Sequence, residues 1–343
     1  MPLSDVKVTI DLVKPSTLIG LGVPLILVKN TSADSVYREY GSLEALKQNY
    51  PESSATYKKA AAIYAQGDYA PHKIAVASFG KETPGDGKDK SVTKFSVRNA
   101  LEEYFDKDFH FVLLAAASAD DRLEASKYFE EKAYKFLVLK VTDEAEITSY
   151  KGKDRTIVFY HPLTDEEPDA ALVGAVSSRT VGSVTWKFKT LVSITPQDYK
   201  ADQIANFHKS GAIVYVTKAG INQTSEGITA SGEYIDVLHG KDWVKLNIET
   251  SIQAALSNSG KIPFSNEGFS LLESQVTNVL LTAFTNGIIA GDEDGQPIYT
   301  VKTKKRSEIS DENRNKRLYD GLSFSFELAQ AVHEANITGE IIL

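Results

Sequence analysis

Apolar and polar positions in the first half of the chain follow two periods, one typical of strands and one typical of helices. Short apolar runs bounded by turn residues predict buried strands, and the segments between them carry apolar residues at helical spacing. The predicted strands are 23–29, 74–79, 109–116, 136–141 and 157–160, and the predicted helices are 42–46, 52–66, 95–105, 120–134 and a small-residue helix within 171–187. This alternation indicates an α/β layer with parallel strand pairs.

The second half begins near residue 194 and shows the same mixture of elements. The pattern predicts a helix over 197–210, two strands over 212–218 and 223–228 joined by a four-residue hairpin, a helix from 234 through 243, and a helix over 268–286. We therefore expect a mixed α/β (α+β) fold with two α/β domains, 15–190 and 191–335. Residues 80–91 and 302–317 are rich in charge or in Gly and Pro, and we interpret them as exposed loops.

The two ends of the chain alternate between apolar and polar residues. The apolar positions are Val6, Val8, Ile10 and Leu12 at the N-terminus and Ile337, Ile341 and Leu343 at the C-terminus. Such alternation predicts extended strands with one apolar face. From the pattern alone, each segment is either an ordinary strand of its own domain or an arm that pairs with another subunit. We treat 1–14 and 336–343 as terminal arms.

Composition limits the chemistry. The formal net charge of −8 argues against a general nucleic-acid binder, and the absence of cysteine excludes disulfides, thiolate nucleophiles and cysteine-ligated metals. No apolar run approaches the roughly 20 residues that a membrane helix needs. The N-terminus lacks the pattern of a signal peptide. We expect a protein made in the cytoplasm that neither binds nucleic acid nor inserts into membranes.

No catalytic or metal-binding motif stands out. Gly80 and Gly85 have the spacing of a phosphate loop, but Asp86 occupies the place of its lysine and would repel phosphate. The six histidines are scattered, and we interpret His239 as a turn residue beside a tryptophan rather than a catalytic group. The acidic turn that starts at Asp292 lacks the last ligand of a calcium loop. We therefore expect no enzyme activity and no cofactor.

One cluster of basic residues stands out in this acidic chain. Its members are Lys302, Lys304, Lys305, Arg306, Arg314, Lys316 and Arg317. The cluster is either a solvated loop, a nucleic-acid patch that lacks interleaved aromatic residues, or a patch that faces an acidic protein partner.

Several segments resemble contractile phage tail sheath proteins. In the first 80 residues these are the run 21–27, a Tyr-Gly-Ser-Leu turn at 40–46, a Tyr-x-x-Ala helix at 54–60 and a Pro-x-x-Ile-x-Val strand at 71–76. Later segments resemble the signature region and the C-terminal pattern of the same family, and they are 214–216, 227–237, 242–243, 321–333 and 337–339. The order of the pieces over nearly the whole chain carries the resemblance.

The resemblance implies a structural protein of the virion. Sheath subunits form six-membered rings stacked helically around an inner tail tube, and they contract to drive the tube through the host envelope for genome ejection. The apolar residues of both arms would then add strands to neighbouring subunits, and the domain 191–335 would face the tube with its basic cluster. The implied partners are further copies, the tube protein, the baseplate and the tail terminator, with assembly in the host bacterial cytoplasm.

Two other functions stay open at this point. One is an α/β enzyme that binds a nucleotide or metabolite, and the other is a different virion component, such as a tail adaptor or a tube protein.

Overall fold

The computed structural model describes residues 21–31, 35–84 and 92–334 of the chain. The strands are β1 (Pro24–Lys29), β2 (Arg38–Tyr40), β3 (Ile74–Phe79), β4 (Glu82–Pro84), β5 (Val92–Lys94), β6 (Phe111–Ala115), β7 (Phe136–Val141), β8 (Thr156–Tyr160), β9 (Ala212–Ile213), β10 (Tyr215–Lys218), β11 (Ile221–Thr224), β12 (Tyr299–Thr303) and β13 (Leu322–Phe326). The helices are α1 (Leu43–Lys47), α2 (Ala55–Tyr64), α3 (Val97–Tyr104), α4 (Ala119–Lys132), α5 (Glu144–Ile147), α6 (Pro168–Val176), α7 (Ala201–Lys209), α8 (Ile235–Asn258), α9 (Asn266–Thr285) and α10 (Asp311–Asn315). Short 3₁₀ turns lie at Gly67–Tyr69, Thr148–Tyr150 and Arg306–Glu308.

A seven-stranded sheet in the order β2-β3-β1-β6-β7-β8-β9 forms the centre of the described chain. Its neighbouring strands are parallel except for β2, which runs antiparallel to β3. The predicted mixed α/β fold with parallel strand pairs is confirmed. Strand β9 pairs with β8 although it lies beyond residue 190, so this sheet extends past the predicted boundary between the domains. That boundary stays a prediction.

Alternate residues of the parallel strands point to opposite faces, and helices cover both faces. On β1, Leu25 and Leu27 belong to one apolar cluster with residues of α3 and α4, whereas Ile26 belongs to a second cluster with α2 and α6. The central strands are buried on both faces, which explains why they are read as continuous apolar runs in the sequence.

Serine residues set the beginnings of several helices. A serine hydroxyl accepts a hydrogen bond from the backbone N–H three residues later at the start of α1, α2, α3, α4, α9 and α10. Ser96 and Ser118 also form reciprocal capping boxes with Asn99 and Asp121. Each such cap stabilises its helix by about 1 kcal/mol, because it satisfies a backbone donor that the helix itself leaves free.

The C-terminal part consists mainly of two long helices, α8 and α9, and the antiparallel strand pair β12–β13. Helix α9 lies against α8 and against β12, and a third apolar cluster joins side chains of both helices and of the β12–β13 pair. Helix α8 runs to Asn258 rather than ending near Trp243 as predicted, because Val244, Ile248 and Ile252 continue its buried face.

Several local predictions are wrong for identifiable reasons. The β10–β11 hairpin turns through two residues, not four: Ala219 and Gly220 both have positive φ, of 49° and 79°, which the tight hairpin turn requires. Alanine rarely adopts that conformation, so the sequence did not indicate the turn. Helix α7 begins at Ala201 rather than at residue 197, and Gln197 instead bridges to Val216.

The two predicted charged loops also contain regular structure. Within 80–91, the residues of β4 pair antiparallel with β5, which begins at Val92. Within 302–317, the chain forms the end of β12, a 3₁₀ turn and helix α10. Ser310 caps α10, and this local capping signal is short enough to be hidden among the charged residues.

Candidate assembly surfaces

The residues predicted to form inter-subunit arms lie outside the described part of the chain. They are Val6, Val8, Ile10, Leu12, Ile337, Ile341 and Leu343. The described chain begins at Leu21 and ends at Glu334, so it does include the points from which both terminal segments continue.

The β12–β13 pair offers a place where further strands could add. Its register joins Tyr299 to Phe326 and Thr303 to Leu322, and its two strands have no further strand partner in the described chain. One face packs on the apolar cluster formed with α8 and α9, whereas Lys302 lies on the exposed face. A two-stranded sheet leaves backbone N–H and C=O groups free along both outer edges, which favours pairing with another chain.

The predicted basic cluster divides into two groups. Lys302, Lys304, Lys305 and Arg317 are exposed, and their side chains form no ion pair with any described residue. These four side chains therefore give the surface around β12 and the segment after it a local positive charge, which lies on a protein that is acidic overall.

The remaining basic side chains hold the segment together. Arg306 Nε donates to the carbonyl of Phe264 at 3.1 Å, and its backbone N–H donates to the Asn266 side chain at 2.9 Å. Arg314 donates to Arg306 O at 3.2 Å and pairs with Asp311. Lys316 pairs with Glu312, one helical turn before it. Part of the basic cluster is thus engaged within its own segment, and a tube-facing role for the seven residues stays a prediction.

A buried charged cluster lies at the amino edge of the parallel sheet. Arg155, just before β8, binds Asp242 of α8 through two hydrogen bonds of 2.7 and 3.0 Å. His110, just before β6, lies with its Nε2 3.3 Å from the same carboxylate and stacks on His239 with ring centroids 5.0 Å apart. All four side chains are buried. The prediction that His239 is a turn residue is wrong, because it lies inside α8.

Electrostatics show which forms of these groups the fold favours. Burial would raise the pKa of Asp242, but Arg155 and His110 outweigh burial and hold that pKa below its usual value. Burial lowers the pKa of His110, and burial together with the neighbouring His110 lowers the pKa of His239 to about 3. The folded protein therefore favours a charged Arg155–Asp242 pair beside two neutral imidazoles. With no solvent access, this cluster docks α8 on the sheet rather than binding a ligand.

The carboxyl edge of the sheet is the usual ligand site of an open α/β fold, especially where the strand order reverses. Here the order reverses between β1 and β6. Lys29, at the end of β1, pairs with Asp121 of α4 at 2.6 Å, and Ser118 donates a further hydrogen bond to that carboxylate. Next to it, Arg122 and Glu146 form a bidentate pair. The polar side chains at this position thus pair with one another and stabilise the packing of α4 at the edge of the sheet.

The described residues offer neither a metal cluster nor a membrane-spanning helix. No group of three or more His, Asp or Glu side chains in the described chain is placed to hold a metal ion. No helix among the described residues, including the long α8 and α9, has the length and apolar content needed to cross a membrane.

Comparison with known proteins relates this structure to contractile sheaths. Residues 235–337 match the family model described as the E217 tail sheath protein gp31-like, C-terminal domain. That segment covers α8, α9, the β12–β13 pair and the basic cluster. No curated protein sequence matches the chain.

Solved structures share the fold over nearly the whole chain. A chain from the baseplate of the anti-feeding prophage is 14% identical, with a TM-score of 0.68 and complete coverage of both chains. A chain from the contracted sheath complex of PVC, an extracellular contractile injection system, is 14% identical with a TM-score of 0.69, over 99% of this chain and 98% of that one. The sheath tail protein of Desulfitobacterium hafniense is 12% identical with a TM-score of 0.55, over 85% and 92%.

These comparisons confirm the resemblance to contractile tail sheath proteins. The C-terminal part matches a tail sheath domain model, and the chain as a whole has the fold seen in contractile sheath structures. The shared fold extends over nearly the whole length of both chains in two of these comparisons.

Proposed function

We propose that this chain is a structural subunit of a contractile tail sheath, without enzymatic activity. Copies would assemble as stacked six-membered rings around an inner tube, and contraction would drive the tube through the host envelope for genome ejection. The tail sheath domain match over 235–337, within a chain that shares its whole fold with contractile sheath proteins, carries this proposal. The ion pairs that fill the carboxyl edge of the sheet agree with a structural role.

We propose that the subunits are linked by strand addition. The terminal segments 1–14 and 336–343 would each donate a strand to another copy, and the β12–β13 pair would accept such strands along its open edges. Its outer face is polar and its inner face is fixed on α8 and α9, so an added strand would extend a sheet that is already supported. Main-chain hydrogen bonds would supply affinity, and alternating apolar side chains would fix the register.

We propose that the exposed basic residues contact the acidic or polar surface of the inner tube. Lys302, Lys304, Lys305 and Arg317 are the residues that are free for this role, because Arg306, Arg314 and Lys316 are bound within the segment. Electrostatic complementarity of this kind orients partners and speeds their association. The baseplate and the tail terminator would be the partners at the two ends of the sheath, and the assembled particle would be the phage tail.

Truncation tests the proposal. Full-length protein and a variant lacking residues 1–13 are purified and compared by sedimentation velocity and negative-stain electron microscopy. We expect full-length protein to form rings or tubes, and the truncated protein to stay monomeric with an unchanged melting temperature. A variant lacking only residues 2–4 is the matched control, because it keeps Val6 to Leu12 and should assemble. Normal assembly of the long truncation contradicts the arm role, and failure of the full-length protein to assemble contradicts the sheath.

A further inference from the structure

Both ends of the described chain are attached to the beginning of helix α8. At the N-terminal end, His239 Nε2 donates a hydrogen bond of 2.8 Å to the backbone carbonyl of Leu21. At the C-terminal end, the ring of Tyr234, the residue that precedes α8, lies edge-on to the ring of His333 with centroids 5.0 Å apart. Residues that are 312 positions apart in the sequence, 21 and 333, are thus attached within two turns of one helix.

The C-terminal attachment is centred on a largely buried histidine in an otherwise exposed segment. His333 Nε2 lies 2.9 Å from Thr185 Oγ1, and Nδ1 lies 2.9 Å from the Glu226 carboxylate. The His333 side chain is only 11% exposed, whereas the neighbouring Val332 is 79% exposed. The Nδ1 atom lies close to Glu226 but makes no well-directed hydrogen bond with it. We call His333 and the residues that its ring contacts, Thr185, Glu226 and Tyr234, the His333 clamp.

Strain in the neighbouring backbone shows that the fold maintains this attachment. Phe188 has a φ of 65°, and its ring lies edge-on to His333 with centroids 5.9 Å apart. Bulky side chains rarely adopt positive φ, and such conformations persist only where neighbours hold them. Here the Phe188 N–H donates to the carbonyl of Thr224, and Lys187 pairs with Glu226 at 2.9 Å. The clamp therefore has a supporting layer of its own.

The N-terminal attachment is equally constrained. His239 is stacked on His110 with an interplanar angle of 19°, so its ring cannot turn away from Leu21 without losing that contact. Gly22 passes so close to the backbone carbonyl of Ser177 that a Cβ atom would come within 1.9 Å of the oxygen. Leu21 itself is buried. The position at which the N-terminal segment joins the described chain is fixed from both sides.

We infer that the start of α8, from Tyr234 to His239, is a common anchor that fixes the points from which both terminal segments leave the subunit. Through this anchor, the strands that one copy gives to two neighbours would keep a constant relative geometry while the copies move. His333 and His239 are positioning residues in this arrangement, because they act on the direction of the terminal segments. The consequence for assembly rests on the proposed sheath function, whereas the anchor itself is a property of the unassembled subunit.

Spin-label distances in the unassembled full-length protein test the anchor. The chain has no cysteine, so Lys241→Cys with Glu334→Cys places two labels on exposed sites, one on α8 and one beside His333. We expect one narrow distance distribution. With His333→Ala, the detached population should rise about tenfold, as expected from loss of the hydrogen bond to Thr185 together with the ring contacts to Tyr234 and Phe188. His333→Gln, which keeps a partner for Thr185, should restore most of the narrow distribution.

A matched control and a second label pair make the result specific. Glu233→Gln removes an exposed carboxylate next to Tyr234 and should leave the 241–334 distribution unchanged. For the other end, Thr17→Cys with Lys241→Cys reports on the N-terminal segment, and His239→Phe should broaden that distribution more than His239→Gln. An unchanged 241–334 distribution in the His333→Ala protein overturns the inference. If His333→Ala broadens the 17–241 distribution as well as the 241–334 distribution, the inference is also overturned. The N-terminal attachment through His239 should not depend on His333.

Assembly of the same variants separates this inference from the sheath proposal. We expect His333→Ala to form fewer or less regular assemblies than wild-type protein. If the detached population rises but the assemblies are unchanged in number and order, the proposed consequence of the anchor is wrong. If wild-type protein does not assemble at all, the sheath proposal is contradicted, whereas the narrow distances and their loss in His333→Ala still support the anchor.

Discussion

Removing the charge of Asp242 should destabilise the protein more than almost any other single polar substitution. Asp242 is fully buried and receives two hydrogen bonds from Arg155, which is itself nearly buried. In Asp242→Asn the guanidinium stays in place without a compensating charge. Breaking a buried pair in this way costs about 3–5 kcal/mol of folding free energy, because the remaining charge has lost its solvation without gaining a partner. The depressed pKa of Asp242 agrees with a pair that is favourable in the folded state.

Urea unfolding followed by tryptophan fluorescence measures this loss. Trp243 is next to Asp242 in α8, and Trp186 packs on Phe111 at a centroid distance of 5.2 Å, so both probes report on the docked helix. For an m-value of about 3 kcal/mol/M, the midpoint should fall by about 1–1.7 M. The double replacement Arg155→Met with Asp242→Leu should recover most of the loss, because apolar side chains remove both buried charges together.

An exposed ion pair provides the matched control for this experiment. Glu131→Gln removes a carboxylate that pairs with Arg98 on the surface, where solvent screens the interaction, and the midpoint should hardly move. A fall of less than about 0.3 M for Asp242→Asn, close to 1 kcal/mol, would refute the reasoning that this pair holds α8 on the sheet.

Three further predictions follow from separate features. Burial lowers the pKa of His239 to about 3, so the folded protein resists protonation of this side chain, whereas the unfolded chain accepts a proton below about pH 6.5. The free energy of unfolding, measured by urea titration, should therefore fall as the pH drops below about 6.5, by up to about 1.4 kcal/mol per pH unit for each such histidine. The fall should be less steep in His239→Gln. Gly174→Ala should cost about 1–3 kcal/mol in thermal unfolding, because its Cβ would lie 2.5 Å from a carbonyl of α2, whereas Gly260→Ala, in open space, should not. Charge reversal at Lys304 and Lys305 should weaken co-sedimentation with the tube protein, by a margin that shrinks as salt screens the charges; unchanged binding contradicts the tube contact.

The sequence predicts best those elements whose signal is local. Strands β3 and β7 lie where their apolar runs indicated, and the serine that begins α1 was identified from its position before Leu43. Both strands are buried and continuous, so a simple apolar run identifies them. The two-residue β10–β11 turn is not evident from the sequence, because Ala219 adopts a conformation that alanine seldom takes.

The buried cluster could not be predicted because its members come from distant parts of the chain. Arg155 and Asp242 are 87 residues apart, and neither has a neighbour in sequence that indicates the pair. The only local signal is that His239 and Asp242 are three residues apart, and thus share one face if that segment is helical. The predicted helix ends near residue 243, so the sequence pattern alone does not show that both residues lie in the middle of a long helix.

Electron microscopy of assembled protein tests the central claim most directly. Purified full-length chain, alone and with the tube protein, is imaged in vitreous ice and reconstructed. The sheath proposal predicts rings of six copies stacked helically around a central tube, with strands from other copies extending the β12–β13 pair. Assemblies with another symmetry, or a protein that stays monomeric with and without the tube, would contradict it.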